Sequence, residues 1–234
     1  MTGSPAIPAR RVRVIHPGFG ATVQDLGRPG HAALGVGRSG AADRRSLCLA
    51  NRLVGNREEA AAVEAPLGGL VVEFDHHATV ALTGAPCDAR ADGRAVDVNA
   101  PVRLAPGSRL TVGIPYEGLR VYLAVRGGLD LSPVLGSRST DTLSGVGPAR
   151  LAAGDVLPVG DLTAGWPAAD FAPQRALPAE PVLRILTGPR DDWFTPESLA
   201  VGGGAPPPGA DPTDRVGRGL AGPALRRGRR GARA

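Results

Sequence analysis

Glycine and proline punctuate this chain so densely that no long regular element can persist in it: 34 glycines and 23 prolines stand among 234 residues. Proline removes a backbone donor and fixes φ, and glycine raises the entropic cost of ordering, so neither suits a helical bundle. What remains is a set of short strands joined by tight turns. Aromatic residues make up only 3% of the chain against 42% hydrophobic residues, so the interior must rest on Val, Leu, Ala and Ile.

Arg11–Ile15 reads as a first strand closed by His16-Pro17-Gly18, and Ala21–Gln24 as a second before the loop Asp25–Gly30. One clear helix is expected over Ala41–Val54, where Leu47, Ala50, Leu53 and Val54 form a single apolar stripe. Ser39 is its expected N-cap, Asp43 falls in its first turn, and Gly55-Asn56 offers the left-handed exit. Strand signals follow at Ala61–Glu64, Leu70–Phe74, Thr79–Thr83, Arg94–Val98, Arg109–Ile114, Leu119–Val125 and Val156–Val159, with Asp92-Gly93 as a hairpin tip. This pattern predicts a mainly β, closed or nearly closed barrel over residues 11–163, after a loose leader at 1–10. Four prolines between 164 and 181 predict a linker. A second unit is expected to start at 182–200, with a strand at Val182–Leu186 and a short helix near Phe194–Leu199. From Val201 onward 14 of 34 residues are Gly or Pro, so 201–234 is expected to be a low-complexity, disordered basic tail.

All 27 basic residues are arginine. Without lysine the chain cannot carry a phosphate-loop lysine, a Schiff base or covalent biotin, so any ATP or biotin chemistry must be anchored on another chain. The net charge of +5 is also localised: Asp211–Ala234 holds seven Arg and two Asp, and the rest is balanced. Arg226, Arg227, Arg229, Arg230 and Arg233 have no aromatic neighbours on which bases could stack, so a nucleic-acid role is not expected. Cys48 and Cys87 allow one bridge at most, and no zinc-like spacing is present. His76 and His77, adjacent on an extended segment, point to opposite faces, so no metal site is expected. No apolar run approaches the roughly 18 residues of a membrane span, and no signal peptide is evident at the start. The expectation is a cytoplasmic protein without membrane contact.

Thr22–Gly30 places an amide, a carboxylate and a guanidinium within five residues after a strand. Gln24 could bond an amide, Asp25 could act as a base, and Arg28 could hold a carboxylate or phosphate; a turn with an Asp25–Arg28 ion pair is the plainer alternative. Ser39 and Asp43 open the helix, where free N–H groups could receive an anion or serve simple capping. Glu64 lies in an apolar run, as a desolvated carboxylate or a structural acceptor. Gly136-Ser137-Arg138-Ser139-Thr140 sets three hydroxyls around one arginine, as an oxyanion nest or an ordinary loop.

In order along the chain these passages resemble the allophanate hydrolase subunit 2 family, which includes the C subunit of 5-oxoprolinase and the carboxyltransferase part of urea amidolyase. The resemblance rests on TVQDLGRPG (22–30), GVGRSGAAD (35–43), LANRLVGN (49–56), AAVEAPLGG (61–69), LTGAP (82–86), GLRVYLAVRGGLD (118–130) and VLGSRSTD (134–141). LTGPRDDWF (186–194) and TDRVGRGLAGPAL (213–225) look like the start of the family's second half. It implies two cyclophilin-like β-barrel units, the second incomplete here, in a chain whose end departs from the family and is expected to leave it poorly active. It also implies subunit-B-like and subunit-A-like partners and ATP-driven opening of the 5-oxoproline lactam to glutamate, with ATP held mainly by a partner. On this resemblance Gln24, Asp25 and Glu64 are the catalytic candidates, and Arg28, Ser39, Asp43, Arg138, Ser139 and Thr140 the substrate- or phosphate-binding ones. The alternatives implied are a carboxyltransferase acting with biotin on urea, or a regulator that binds a subunit-B-like kinase inhibitor.

Overall fold

The computed structural model describes residues 10–167, 169–173, 176, 178, 182, 184–204, 209–213, 217–220 and 224–228. The leader at 1–9 and the end of the basic tail at 229–234 lie outside them. Two compact units result, Met1–Leu177 and Pro178–Ala234.

In the first unit the elements are β1 (Arg11–Pro17), β2 (Thr22–Gln24), α1 (Arg44–Leu53), β3 (Ala62–Pro66), β4 (Leu70–Phe74), β5 (Ala78–Gly84), β6 (Cys87–Ala91), β7 (Arg94–Ala95), β8 (Pro101–Leu104), β9 (Arg109–Pro115), β10 (Arg120–Val125) and β11 (Val156–Pro158). They form two antiparallel sheets, ordered β11-β1-β4-β9-β6-β7 and β2-β3-β10-β5-β8. Alternation along the strands fills the space between them. Val12, Val14, Val72, Phe74, Leu110 and Val112 of one sheet meet Val23, Val63, Val80, Leu82, Val121, Leu123 and Val125 of the other in one buried cluster. The intervening residues of β3, β5 and β10 (Ala62, Ala81, Tyr122, Ala124) turn outward and form a second cluster with Leu47, Ala50, Leu53 and Val54 of α1. The helix therefore lies on the outer face of the five-stranded sheet.

Several boundaries differ from expectation. The helix is shorter at both ends, and Asp43 rather than Ser39 caps it, accepting from Ser46 N at 3.1 Å. Ser39 sits at φ 53, turning the chain before the cap. The helix ends as foreseen, with Gly55 at φ 69 and bonds from Gly55 N to Arg52 O and from Asn56 N to Asn51 O, a Schellman closure. The expected strand at 94–98 shrinks to two residues, paired across the Asp92-Gly93 tip with β6, which the sequence pattern did not suggest. The predicted linker is bound to the first unit at its start: Ala164 N donates to Gly55 O, Ala172 N to Asn99 O, and Arg126 stacks 4.3 Å over Trp166.

Two buried amides brace the helix exit. Asn51 Nδ2 donates to Ala60 O, and Asn56 Nδ2 to Asn51 Oδ1 and Val125 O, while Asn56 Oδ1 accepts from Gly127 N. The residues of the LANRLVGN passage thus hold the helix to the strands.

In the second unit a 3-10 turn at Asp191–Trp193 leads into α2 (Pro196–Gly204). Proline at the first helical position fits the missing donor there. The strand expected at 182–186 is absent: residues 182 and 184–186 are irregular, and 183 lies outside the described residues. The 201–234 segment, in contrast, is not uniformly irregular. It continues α2 to Gly204 and pairs β12 (Gly209–Thr213) with β13 (Arg218–Leu220) as an antiparallel hairpin, whose backbone bonds need no apolar side chains. Arg226 N donates to Ser198 Oγ at 2.7 Å, tying the end of this unit to α2.

Candidate functional site

The segments that carry the candidate residues come together beside β2. Residues 139–140 run along its edge: Thr140 N donates to Val23 O at 2.9 Å, and Asp25 N to Ser139 Oγ at 2.9 Å. The turn before the helix is fastened to the same place, Ala41 N donating to Asp25 O at 2.8 Å. More than a hundred residues of sequence separate the two sides of this cluster.

Asp25 is the clasp. Its Oδ1 accepts from Gly27 N (2.7 Å), Ser137 Oγ (2.7 Å) and Ser139 Oγ (2.5 Å), and its Oδ2 from Arg138 N (2.6 Å). The loop 136–140 does form an oxyanion nest, but the anion in it is the protein's own. Four donors on this buried carboxylate, three on Oδ1 and one on Oδ2, make Asp25 the fastening between the loops at 25–28 and 137–140. Ser139 is committed in the same contact. The Arg138 side chain is also engaged, with Leu131 O at 2.7 Å and Asp130 Oδ1 at 3.0 Å.

The helix N-terminus is likewise filled from within. Glu64 is 1% exposed, and its Oε2 accepts from Ala42 N (3.0 Å) and from Tyr122 Oη (2.8 Å). Its Oε1 meets Arg120 Nε at 3.2 Å. Tyr122 Oη accepts in turn from Asp43 N at 2.7 Å. Burial first, and the Glu64 charge second, push the tyrosine's pKa far above its ordinary range, so it stays a neutral donor. Glu64 thus fixes the start of α1 to the sheet, and the amides that could have received an external anion at 41–43 are occupied. The exposed Asp43 caps α1, with Oδ1 accepting from Ser46 N and Oδ2 from Ser46 Oγ.

Arg28 differs from all of these. Its side chain is the largest fully buried one among the described residues, 1% exposed. Nε donates to Val134 O (3.3 Å), Nη1 to Ser39 Oγ (3.0 Å) and Nη2 to Ser139 O. The Asp25–Arg28 ion pair of the plainer alternative does not form, and Arg28 is in none of the ion pairs among the described residues. Three of its five N–H groups have acceptors, all uncharged. The counter-charge is relayed: the Ser39 hydroxyl that receives Arg28 also bonds to the buried Asp141. Gly147 (φ 89) lies against Arg28, where a Cβ would stand 3.0 Å from Nη2 and collide with Ser139 O.

Asp141 carries a testable consequence. Burial acts to raise its pKa, but hydrogen bonds from Ser144 Oγ and N, Leu143 N and the Ser39 hydroxyl outweigh it and hold the carboxyl down from 3.8 to about 2. A carboxyl lower in the folded than in the unfolded state stabilises above the unfolded value and loses that contribution as pH falls to the folded one. Asp141→Asn is expected to cost about 2 kcal/mol at pH 7. In urea titrations the gap between variant and parent should close as pH falls from about 4 to about 2.

Gln24 completes the set. Its Nε2 donates to Thr22 Oγ1 (3.0 Å) and Thr140 O (3.1 Å), but its Oε1 is buried without a partner, as is Thr140 Oγ1. All nine candidate residues therefore lie in one bonded neighbourhood. Tyr122, Asp141 and Arg120 were missed. Ser137 had been read as one hydroxyl of the 136–140 nest, whereas Tyr122 was hidden between Val121 and Leu123 in an apolar strand, and only its alternation outward marked it. Among the described residues no group of three His, Cys, Asp or Glu could hold a metal ion, and no helix is long and apolar enough to cross a membrane. Both cysteines are free thiols.

A family model described as "Carboxyltransferase domain, subdomain A and B" matches residues 34–231. The chain is 45% identical over 152 residues to the C subunit of 5-oxoprolinase from Escherichia coli (strain K12), covering 64% of this chain and 49% of that protein. It is 35% identical over 208 residues to urea amidolyase of Lachancea kluyveri, covering 80% of this chain and 11% of that one. Among solved structures, TTHA0988 superposes with a TM-score of 0.82 at 36% identity, over 92% of this chain and 80% of that chain. The Kluyveromyces lactis urea amidolyase does so with 0.77 at 32% identity, over 96% of this chain and 15% of that chain. The chain spans about half the length of the 5-oxoprolinase relatives it matches.

Proposed function

The chain belongs to the family of the carboxyltransferase domain, subdomain A and B, and on that premise we propose that it is a subunit of an ATP-dependent, 5-oxoprolinase-type complex that opens the 5-oxoproline lactam to glutamate. The observation that carries this reading is Arg28, a buried guanidinium with no directly paired carboxylate, in the same hydrogen-bonded cluster as the unpartnered amide oxygen of Gln24. A buried cation of this kind is costly unless an anion meets it. A 5-oxoproline substrate brings both a carboxylate and a lactam amide. A lactam carbonyl is unreactive until its oxygen is activated, and phosphorylation supplies that activation. In this proposal Arg28 receives the substrate carboxylate or phosphoryl oxygens once the turns it holds have parted. Gln24 and Thr140 orient the amide, and Asp25, Glu64, Ser39 and Ser139 position the loops.

The residues here do not suit a nucleotide: the chain has no lysine, and the amides at 41–43 are taken by Asp25, Glu64 and Tyr122. ATP therefore belongs on a partner of subunit-A or subunit-B type, in a complex that works in the cytoplasm. A second reading, transfer of a carboxyl group from a partner's biotin to urea, is favoured by the 80% of this chain that aligns with a urea amidolyase.

The test is reconstitution of the purified chain with subunit-A-like and subunit-B-like partners. ATP-dependent glutamate release from 5-oxoproline is expected. Biotin-dependent carboxylation of urea without glutamate release would replace this reading by the second, and neither activity would overturn both.

A further inference from the structure

Four turns meet at one end of the six-stranded sheet, in its own strand order β1-β4-β9-β6. Glycines let them touch: a Cβ on Gly18 would stand 2.2 Å from Gly68 O, one on Gly68 1.9 Å from Gly113 O, and one on Gly113 2.8 Å from Asp88 O. Across this end five large apolar side chains face outward, Phe19, Leu67, Ile114, Tyr116 and Leu119, from 38% exposed at Leu119 to 70% at Tyr116. They form one ridge. The Phe19 ring lies 3.6 Å from where a Gly69 Cβ would stand, Gly68 packs against the Ile114 backbone, and Leu67 N donates to Leu119 O at 2.7 Å. Leu67 is held there against its own preference: its φ of 55 is left-handed, which is unfavourable for leucine, yet its side chain joins neither core cluster. Contiguous apolar surface of this kind marks a place of association.

The charges beside the ridge say what covers it. Arg150 stands at the β1 side, its Nη1 3.0 Å from the Cβ position of Gly20. Asp88, bonded to the Tyr116 hydroxyl, and Glu117 stand at the β6 side. All three are exposed, and none is in an ion pair among the described residues. A ridge flanked by one sign at each end is complementary to itself. Half a turn about an axis through its middle sets the Arg150 of each copy against the Asp88 of the other and lays apolar residues on apolar residues, the isologous geometry of a two-fold dimer. A rim of uniform sign would have called for a different partner of opposite charge. The five side chains expose roughly 500 Å². That matches the apolar share, about 65%, of the about 800 Å² that each partner buries in a stable homodimer. We propose that this end of the first unit is the interface between two copies of the chain.

The test is sedimentation velocity on the full chain, without partner subunits. A concentration-dependent rise from the 23.8 kDa chain to twice that mass is expected, with a micromolar Kd. Arg150→Glu sets like charges together at both symmetric contacts, and so does Asp88→Arg, so each variant alone should dimerise at least about tenfold more weakly. Mixed in equal amounts, the two variants restore opposite charges at both contacts, and the mixture should dimerise as the parent does. Pairing between copies in this polarity predicts that rescue, and a merely structural role for either residue does not. Leu67→Asn suits the left-handed backbone and removes the apolar side chain, so it should weaken the dimer without lowering the melting temperature of the monomer. A mass that stays at 23.8 kDa up to about 100 μM overturns the proposal. So does an undiminished dimer in Arg150→Glu, or a mixture no tighter than its components. A chain that is monomeric alone and covers this end only when a subunit-B-like protein is added assigns the face to that protein, and overturns the proposal too. Association is read without turnover, so a failed 5-oxoproline reaction leaves the dimer standing, and a monomer leaves the reaction open.

Discussion

Replacing Asp25 by alanine is expected to destabilise the protein by about 3–5 kcal/mol, a large part of the roughly 5–15 kcal/mol available to a folded domain. Its carboxylate accepts from Gly27 N, Ser137 Oγ, Arg138 N and Ser139 Oγ, and 7% of the residue is exposed. Removing it strands four donors, and buried donors without acceptors cost about 1–3 kcal/mol each before relaxation and water entry recover part of that. Asp25→Asn should be milder, because one oxygen remains for the two serines while the new NH2 opposes Arg138 N–H. The check is the urea midpoint of each full-length variant. A loss below about 1 kcal/mol for Asp25→Ala would mean that the loops at 25–28 and 137–140 are held by something else.

Arg28→Ala carries the largest expected effect on activity. Truncating one member of a buried, charge-assisted contact costs about 2–5 kcal/mol, which corresponds to a fall in kcat/KM for 5-oxoproline of about 30- to 4,000-fold in the reconstituted complex. Arg28→Lys should not rescue it. Lysine offers its donors from a single nitrogen and cannot reach Val134 O, Ser39 Oγ and Ser139 O together. Melting curves for both variants separate this loss from unfolding. Unchanged glutamate release by a folded Arg28→Ala protein would remove Arg28 from the mechanism.

Sequence pattern located the elements whose side chains alternate strongly. Leu70–Phe74 was delimited to the residue, and the helix stripe Leu47, Ala50, Leu53 and Val54 is the face that packs on the sheet. Where the side chains are small the pattern faded: Cys87–Ala91 alternates in burial, yet cysteine and alanine give little β signal, and Pro101 masked the strand it begins. The N-cap was misread because Ser39 and Asp43 both suit the role, and only the left-handed turn at Ser39 decides between them.

At the site, residue chemistry was read more accurately than its occupancy. The nest at 136–140 and the anion-seeking amides at 41–43 are both real, but Asp25 after β2 and Glu64 of β3 already fill them. No local window reveals which of a protein's own carboxylates will return to such a place. For the same reason the union of residue 24 with residue 140 was visible only through the family resemblance. The relay from Arg28 through Ser39 to Asp141 left no trace in spacing.

The most direct measurement is the position of 5-oxoproline in crystals of the chain assembled with the proposed subunit-A-like and subunit-B-like partners. The substrate carboxylate is expected within hydrogen-bond distance of the Arg28 guanidinium, with its lactam edge on Gln24 and Thr140. Substrate bound elsewhere, with Arg28 still closed beneath Val134, Ser39 and Ser139, would rule out Arg28 as the anion site.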